Sequence, residues 1–307
     1  MGFNTDAEKR GGYLVSHEMK KVWAVELDLL RQLIEVCQRE NLRMWVDGGT
    51  LLGAVRHQGF IPWDDDIDVC MPRPDYDRLT AISGQVFKEP YFYQNAYTDK
   101  DYFAGHAQLR NSRTAAIRPS ASFNPFNQGI FIDIFVLDGV PEEETERRRV
   151  WKASRRMQHF LKAKNLNILI SGRWLQVFRK IQSRRAVSKT GWTSLYRQAE
   201  DQLRLASFDE SKEVAEISFS AYDIVLDRHI FDDTVWLDFE DMKVPAPSGY
   251  DQLLRTQYGE NYMTPIQTGN YHGELVFDTE RSYVELLPEV RLRYKKSQIA
   301  KLFGKKK

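Results

Sequence analysis

The chain has 307 residues, 42% hydrophobic and 28% charged, with a formal net charge of +1. That is ordinary for a globular protein with a sizeable core, and the near-zero charge identifies no partner by itself. Two cysteines, Cys37 and Cys70, exclude a disulfide framework or a cysteine-spaced zinc site, and no apolar run approaches the roughly 20 residues of a spanning helix.

Residues 1–12 are polar and lack the apolar centre of a signal peptide. Met1-Gly2 invites N-myristoylation, but Asp6 stands where Ser or Thr is needed. The expected location is the cytoplasm. Residues 17–39 carry Val22, Val25, Leu29, Leu33 and Val36 at helical spacing, which predicts an amphipathic helix that packs on the core and has no catalytic content. A strand over residues 43–46 then runs into Gly48-Gly49-Thr50. The two glycines let backbone approach an anion, Thr50 can cap a helix over residues 51–57, and its hydroxyl can also touch a phosphate. Arg56, at the end of that helix, suits either a phosphate contact or the helix dipole.

The next segment carries the strongest chemical signal. In Trp63-Asp64-Asp65-Asp66-Ile67-Asp68-Val69-Cys70-Met71, a strand over residues 66–71 puts Asp66, Asp68 and Cys70 on one face and Ile67, Val69 and Met71 on the other. Two carboxylates about 6–7 Å apart at strand spacing repel unless cations lie between them. A divalent-metal phosphoryl-transfer site needs that arrangement. Asp64 and Asp65 can bind substrate or metal-bound water, or shape the loop, the last being favoured for Asp65. Cys70 reads as a small core filler rather than a catalytic thiol.

Pro72 and Pro74 end the strand, a helix follows over residues 75–87, and residues 91–95 and 106–111 read as short strands. Gly129-Ile130-Phe131-Ile132-Asp133-Ile134-Phe135-Val136 is an apolar strand holding one charge. A buried carboxylate there needs a partner, either an arginine or, with Asp66 and Asp68, a metal. Between residues 147 and 189 fourteen Lys and Arg occur with no Asp or Glu, interleaved with apolar residues. This predicts two basic amphipathic helices broken near Ser171-Gly172, either a solvated face or a contact for an anionic membrane or a phosphate-bearing acceptor. Residues 214–219 and 235–239 read as strands, and residues 248–258 as a helix capped by Ser248. The basic end of the chain, residues 291–307, is expected to be a disordered tail.

The fold class expected is α/β (α+β), a mixed β-sheet flanked by helices. It is read as one domain: a catalytic core over residues 17–140, a basic helical insertion over 141–210, and residues 211–290 completing the core.

Gly48-Gly49-Thr50-Leu51-Leu52-Gly53-Ala54-Val55-Arg56-His57, followed by Gly59-Phe60-Ile61-Pro62-Trp63-Asp64-Asp65-Asp66-Ile67-Asp68, closely resembles the LicD family, which is related to the fukutin proteins. The strand at residues 131–136, residues 239–245 and 250–259, and His272-Gly273-Glu274 support the resemblance. The acidic positions show no departure from it, and residues 142–208 carry no family motif. The resemblance implies a nucleotidyltransferase-type fold. It implies transfer of phosphocholine, or another phospho-alcohol, from a CDP-activated donor to a glycan, with CDP-choline first among donors.

On this reading Asp66, Asp68 and Asp133 are the catalytic and metal-binding residues. They would hold Mg²⁺, as two ions about 3.5–4 Å apart, with Mn²⁺ able to substitute. Asp133 or a neighbouring carboxylate would take the acceptor proton. Gly48, Gly49 and Thr50 would hold the donor phosphates. Arg110 and Lys243 would neutralise charge, or else form surface ion pairs. The acceptor would be a glycan such as teichoic acid, lipo-oligosaccharide or capsule, free or lipid-linked, met at the inner face of an anionic membrane. No nucleic acid is expected as partner. The same metal site also suits transfer of a nucleoside monophosphate, or a CDP-ribitol or CDP-glycerol donor. A non-catalytic binding protein would be signalled by a missing carboxylate, and all three are present.

Overall fold

The computed structural model describes residues 3–99, 102, 104–164, 191–218, 224–267 and 275–303. The insertion's expected helix break, its residues 165–190 and the His272-Gly273-Glu274 segment lie outside them. A hairpin of β1 (Glu8–Arg10) and β2 (Tyr13–Val15) leads into α1 (His17–Arg39). Ser16 caps α1 by accepting the Met19 N–H, supplying one of the orphan donors of the first turn.

The central sheet has seven strands. Its middle strand is β8 (Ile130–Gly139), the ten-residue apolar run that carries Asp133. Along one edge β8 pairs in parallel with β4 (Asp68–Pro72), Asp68 standing opposite Asp133. On the other edge it pairs antiparallel with β6 (Ala107–Asn111), which puts Gln108 opposite Asp133. Outward of β4 lies β3 (Trp45–Val46), antiparallel, and outward of β6 lies β5 (Tyr91–Gln94). Past the end of β6, β8 continues onto β9 (Glu213–Ala215), which pairs with β10 (Leu226–Asp227). One parallel pair among antiparallel neighbours makes the sheet mixed, as the alternation of strands and helices predicted.

Two helices leave the sheet beside the acids. The first, α2 (Gly48–His57), starts two residues after β3 ends. Helix α3 (Arg73–Val86) follows β4 directly, and Pro74 falls in its first turn, where a missing N–H costs nothing. Helix α1 packs on the sheet through Trp23, Leu27, Leu30 and Leu33, all fully buried in one core with Val69, Met71, Ile132 and Ile134. Trp23 stacks on Phe60 at 4.4 Å between ring centroids.

A second apolar cluster joins α4 (Glu144–Lys164) and α5 (Trp192–Leu203) through Val150, Met157, Tyr196 and Leu203. The remaining elements are β7 (Ala115–Ile117), a hairpin of β11 (Thr234–Phe239) and β12 (Met242–Pro247), α6 (Tyr250–Tyr258), β13 (Val276–Asp278) and α7 (Tyr283–Phe303).

Several boundaries differ from the sequence-based expectation. The strand at the acids begins at Asp68 rather than Asp66. Helix α6 begins at Tyr250 after Gly249, and Ser248 does not cap it. The basic end is helical as far as Phe303, because Leu286, Leu287 and Val290 bury against Ala115 and Ile117 and anchor the helix start. A charge count along residues 291–307 could not register an anchor that lies upstream. No helix among the described residues is long and apolar enough to cross a membrane.

Candidate active site

The alternation of Asp66 and Asp68 survives although Asp66 precedes the strand. Backbone pairing extends one residue further than the strand, since the Asp133 N–H donates to the Ile67 carbonyl at 2.9 Å. Ile67 is therefore held inward, and both aspartates turn to the opposite side. One carboxylate oxygen from each of Asp66, Asp68 and Asp133 lies within 4.8 Å of the other two. Asp64, Asp65 and Asp66 form a second such group, so Asp66 belongs to both. Asp65 is buried.

Helix α2 is aimed at this group by its first turn. It begins at Gly48, not Leu51, and Asp47 occupies the cap position without a side-chain cap bond. Gly48 has φ +53, the left-handed region, and a Cβ there would lie 3.1 Å from Asp68 Oδ2. At Gly49 a Cβ would lie 2.6 Å from Asp64 Oδ2. The glycines thus bring the positive end of α2 against two carboxylates, where a phosphate contact had been expected. Thr50 is inside the helix and buried, and its hydroxyl accepts the Asp68 N–H at 2.8 Å. It fixes the start of the acidic strand rather than capping a helix.

Asp133 is met by side chains at the start of β6 and just before it. His106 Nε2 lies 2.9 Å from its Oδ1, and Gln108 Nε2 donates to the same oxygen at 2.6 Å. Behind Gln108 stands Arg110, 5% exposed, which donates to Gln108 Oε1, Gln94 Oε1 and the Gly129 carbonyl and lies over the Phe131 ring. Burial pulls its guanidinium down to about 10. Arg110 is therefore neither a surface ion pair nor a direct phosphate ligand in this arrangement. It holds the amide that holds Asp133.

Two other predicted cations stand apart. Lys243 is exposed on the β11–β12 hairpin and pairs with Asp238 at 2.8 Å. Arg56 lies eight residues along α2 from Gly48, about 12 Å at the helical rise. Its Nη1 donates to the Tyr262 carbonyl at 2.8 Å. Burial pulls its guanidinium down, and the nearby Tyr258 phenol partly offsets this.

The fold adds acids that the sequence did not single out. Glu26, on α1, is 1% exposed and its Oε2 is buried without a hydrogen-bond partner. Burial, then Asp65, Asp64, Asp68 and Asp133 in that order, push its carboxyl well up. Glu216, just past β9, is pushed up by burial and by a hydrogen bond and charge from Asp47, while Gln257 donates to Asp47 at 3.0 Å. The Tyr258 phenol is pushed up by desolvation and then by Asp47, Asp68, Asp64 and Asp66, although 45% of the residue is exposed. Asp66 itself is pushed well up, by burial first and then by Asp64, Asp133 and Glu26. None of these neighbours lies near Asp66 in sequence except Asp64. Only Gln108 and His106, inside a predicted strand, gave a signal that alternation could have used.

An all-aspartate donor set of hard oxygens fits Mg²⁺ or Mn²⁺. The orphaned Glu26 oxygen fits it further, as a buried acceptor left without a hydrogen-bond partner.

The family described as LicD/FKTN/FKRP, nucleotidyltransferase domain, matches residues 41–167, which carry all three converging aspartates. The chain is 27% identical to the lipopolysaccharide cholinephosphotransferase LicD of Haemophilus influenzae over 253 residues, 78% of this chain and 89% of that protein. It is 32% identical to the human ribitol 5-phosphate transferase FKRP over 77 residues, 24% of this chain and only 16% of that much longer protein. An uncharacterized protein of Rickettsia prowazekii is 41% identical over 71 residues, 22% of this chain and 27% of its own length.

Proposed function

Residues 41–167 are a LicD-family nucleotidyltransferase domain, and on that premise we propose that the protein moves phosphocholine from CDP-choline to a hydroxyl of a cell-surface glycan precursor. The chain is an enzyme of the phospho-alcohol transferase kind. The observation that carries this reading is the convergence of Asp66, just before β4, with Asp68 on β4 and Asp133 on the adjacent parallel strand β8.

Asp66, Asp68 and Asp133 would hold a divalent cation, Mg²⁺ or Mn²⁺. When bound, that ion neutralises charge on the donor pyrophosphate and on the transferred group. The residues of the chain do the positioning. Thr50 sets Asp68 through its backbone N–H, and the β8 register sets Asp133 opposite it. Gln108 and His106 fix one oxygen of Asp133. That leaves Asp133 oriented, as a group that receives the acceptor proton must be. The start of α2, brought close by Gly48 and Gly49, favours anions at the same place. Helix α4 presents Arg148, Arg149, Lys152, Arg155 and Arg156 to solvent on the face opposite buried Val150, Ser154 and Met157. A cytoplasmic enzyme that meets a lipid-linked acceptor at an anionic membrane would use this face.

The test is a donor screen. Purified protein is incubated with Mg²⁺ and CDP-choline, CDP-ribitol or CDP-glycerol, and released CMP is measured. CMP release should be greatest with CDP-choline, stop with chelator, return with Mg²⁺, and fall to background in a folded Asp68→Asn variant. Preference for CDP-ribitol, the headgroup suggested by the name of the human relative, would replace choline and leave the reaction class standing. A nucleotidylated acceptor, or full activity of Asp68→Asn, would overturn the assignment.

A further inference from the structure

Glu26 is the one buried acid beside the aspartates that comes from α1, a helix otherwise committed to packing. Its neighbours on that helix explain the placement. Trp23, three residues earlier and on the same face, donates its indole N–H to the Asp64 carbonyl at 3.0 Å and stacks on Phe60. This ties α1 to the loop before β4, so the next turn of the helix is held against the acidic segment. An apolar residue there would extend the core of Trp23, Leu27 and Leu30 without penalty. A glutamate instead places a carboxyl, pushed well up by burial and by Asp65, Asp64, Asp68 and Asp133, in that core and leaves Oε2 buried with no hydrogen-bond partner. An unsatisfied buried polar atom costs roughly 1–3 kcal/mol, more when charged. Nothing in the packing of α1 repays that.

We infer that Glu26 is a positioning residue of the cation site, whose buried and unpartnered Oε2 would accept a hydrogen bond from the hydration shell of a Mg²⁺ or Mn²⁺ held by the aspartates. Mg²⁺ sheds water reluctantly and keeps several waters in protein sites, and those waters need acceptors around them. Groups in this outer position typically contribute 10–100-fold to metal affinity. The inference rests on the metal-dependent reading of the aspartates and adds to it a residue outside the family-matched segment.

Mn²⁺ binding to the full chain by titration calorimetry tests it, together with melting temperature measured with and without Mn²⁺. Glu26→Gln keeps the shape, and Glu26→Met replaces the acid by an apolar side chain of similar length. Both should bind Mn²⁺ at least tenfold more weakly than wild type. Their melting temperature without cation should equal or exceed that of wild type, and the rise on adding Mn²⁺ should shrink. Unchanged affinity in both variants overturns the role of Glu26 alone. So does an equal loss of melting temperature with and without cation, or failure of both variants to fold, since each marks a purely structural residue. A wild-type protein that binds no divalent cation overturns this role and the metal reading together.

Discussion

Asp68 is gripped at both ends of its own backbone. Its N–H goes to the Thr50 hydroxyl and its carbonyl receives the Asp47 N–H at 3.0 Å. The side chain between these anchors has little freedom to turn away from Asp66 and Asp133. Thr50→Val keeps the shape and removes the acceptor, leaving a buried N–H unpaired. It should lower stability by about 1–3 kcal/mol, read from denaturant melts, and should lower kcat beyond that loss because Asp68 is no longer fixed. A Thr50→Val enzyme with wild-type kcat would separate the hydroxyl from the site. Thr50 and Gln108 each act one hydrogen bond away from an acid, and Arg110 acts two away, through Gln108. Their types hinted at polar work, but their targets were not legible, because a hydroxyl or an amide bonds whatever the fold brings to it.

At the scale of elements, a buried ion network ties the helical addition to the sheet. Arg73, at the start of α3, makes two bonds to Asp138 on β8, at 2.6 and 2.9 Å, and one at 2.9 Å to Glu200 on α5. Asp138 is fully buried and burial pushes its carboxyl up, while Arg73 opposes that push. Tyr97 and Arg204 bond the same Glu200. Arg73→Ala would strand Asp138 in the interior and take one of three partners from Glu200, and breaking a buried pair from one side costs about 3–5 kcal/mol. Chemical denaturation should show a loss of that size. A loss below about 1 kcal/mol, the range of a surface ion pair, would mean that α5 is held by its apolar contacts alone. Basic residues dominate the sequence near this addition, yet its fully buried link to the sheet runs through an arginine from outside it, while its own Arg204 bonds Asp77 on α3.

Across the whole molecule a net charge of +1 conceals a local excess of acid. Asp66, Glu26 and Glu216 have carboxyls raised by burial first and then by the acids around each of them. Raised folded-state values mean that the native protein keeps protons the unfolded chain releases. The stability they contribute is complete below the ordinary carboxylate range and is lost as pH climbs through the raised values. Asp209, lowered by its hydrogen bond to Arg43, acts in the opposite sense, and only as pH falls below the ordinary range. In chelator, the melting temperature should therefore decline from about pH 5 to pH 8. Added Mg²⁺ should raise it more at the upper end, where the acids it relieves are charged. A Mg²⁺ effect that is the same at both pH values would argue against a cation among these groups.

What the sequence determined by itself was local and periodic. Residues two apart share a strand face, so Asp66 and Asp68 had to point together, and a lone Asp133 in an apolar run had to be buried beside something polar. The helix over residues 17–39 and the glycine turn followed from the same short-range rules. Only the tertiary structure decided which segments meet. The parallel pairing of β4 with β8 set Asp133 opposite Asp68, and the antiparallel β6 brought Gln108 to it. Packing of α1 through Trp23 carried Glu26 to the cluster. Spacing along a chain encodes faces, whereas a buried charge acquires its surroundings from strands and helices tens or hundreds of residues away, and those surroundings govern its protonation and its chemistry.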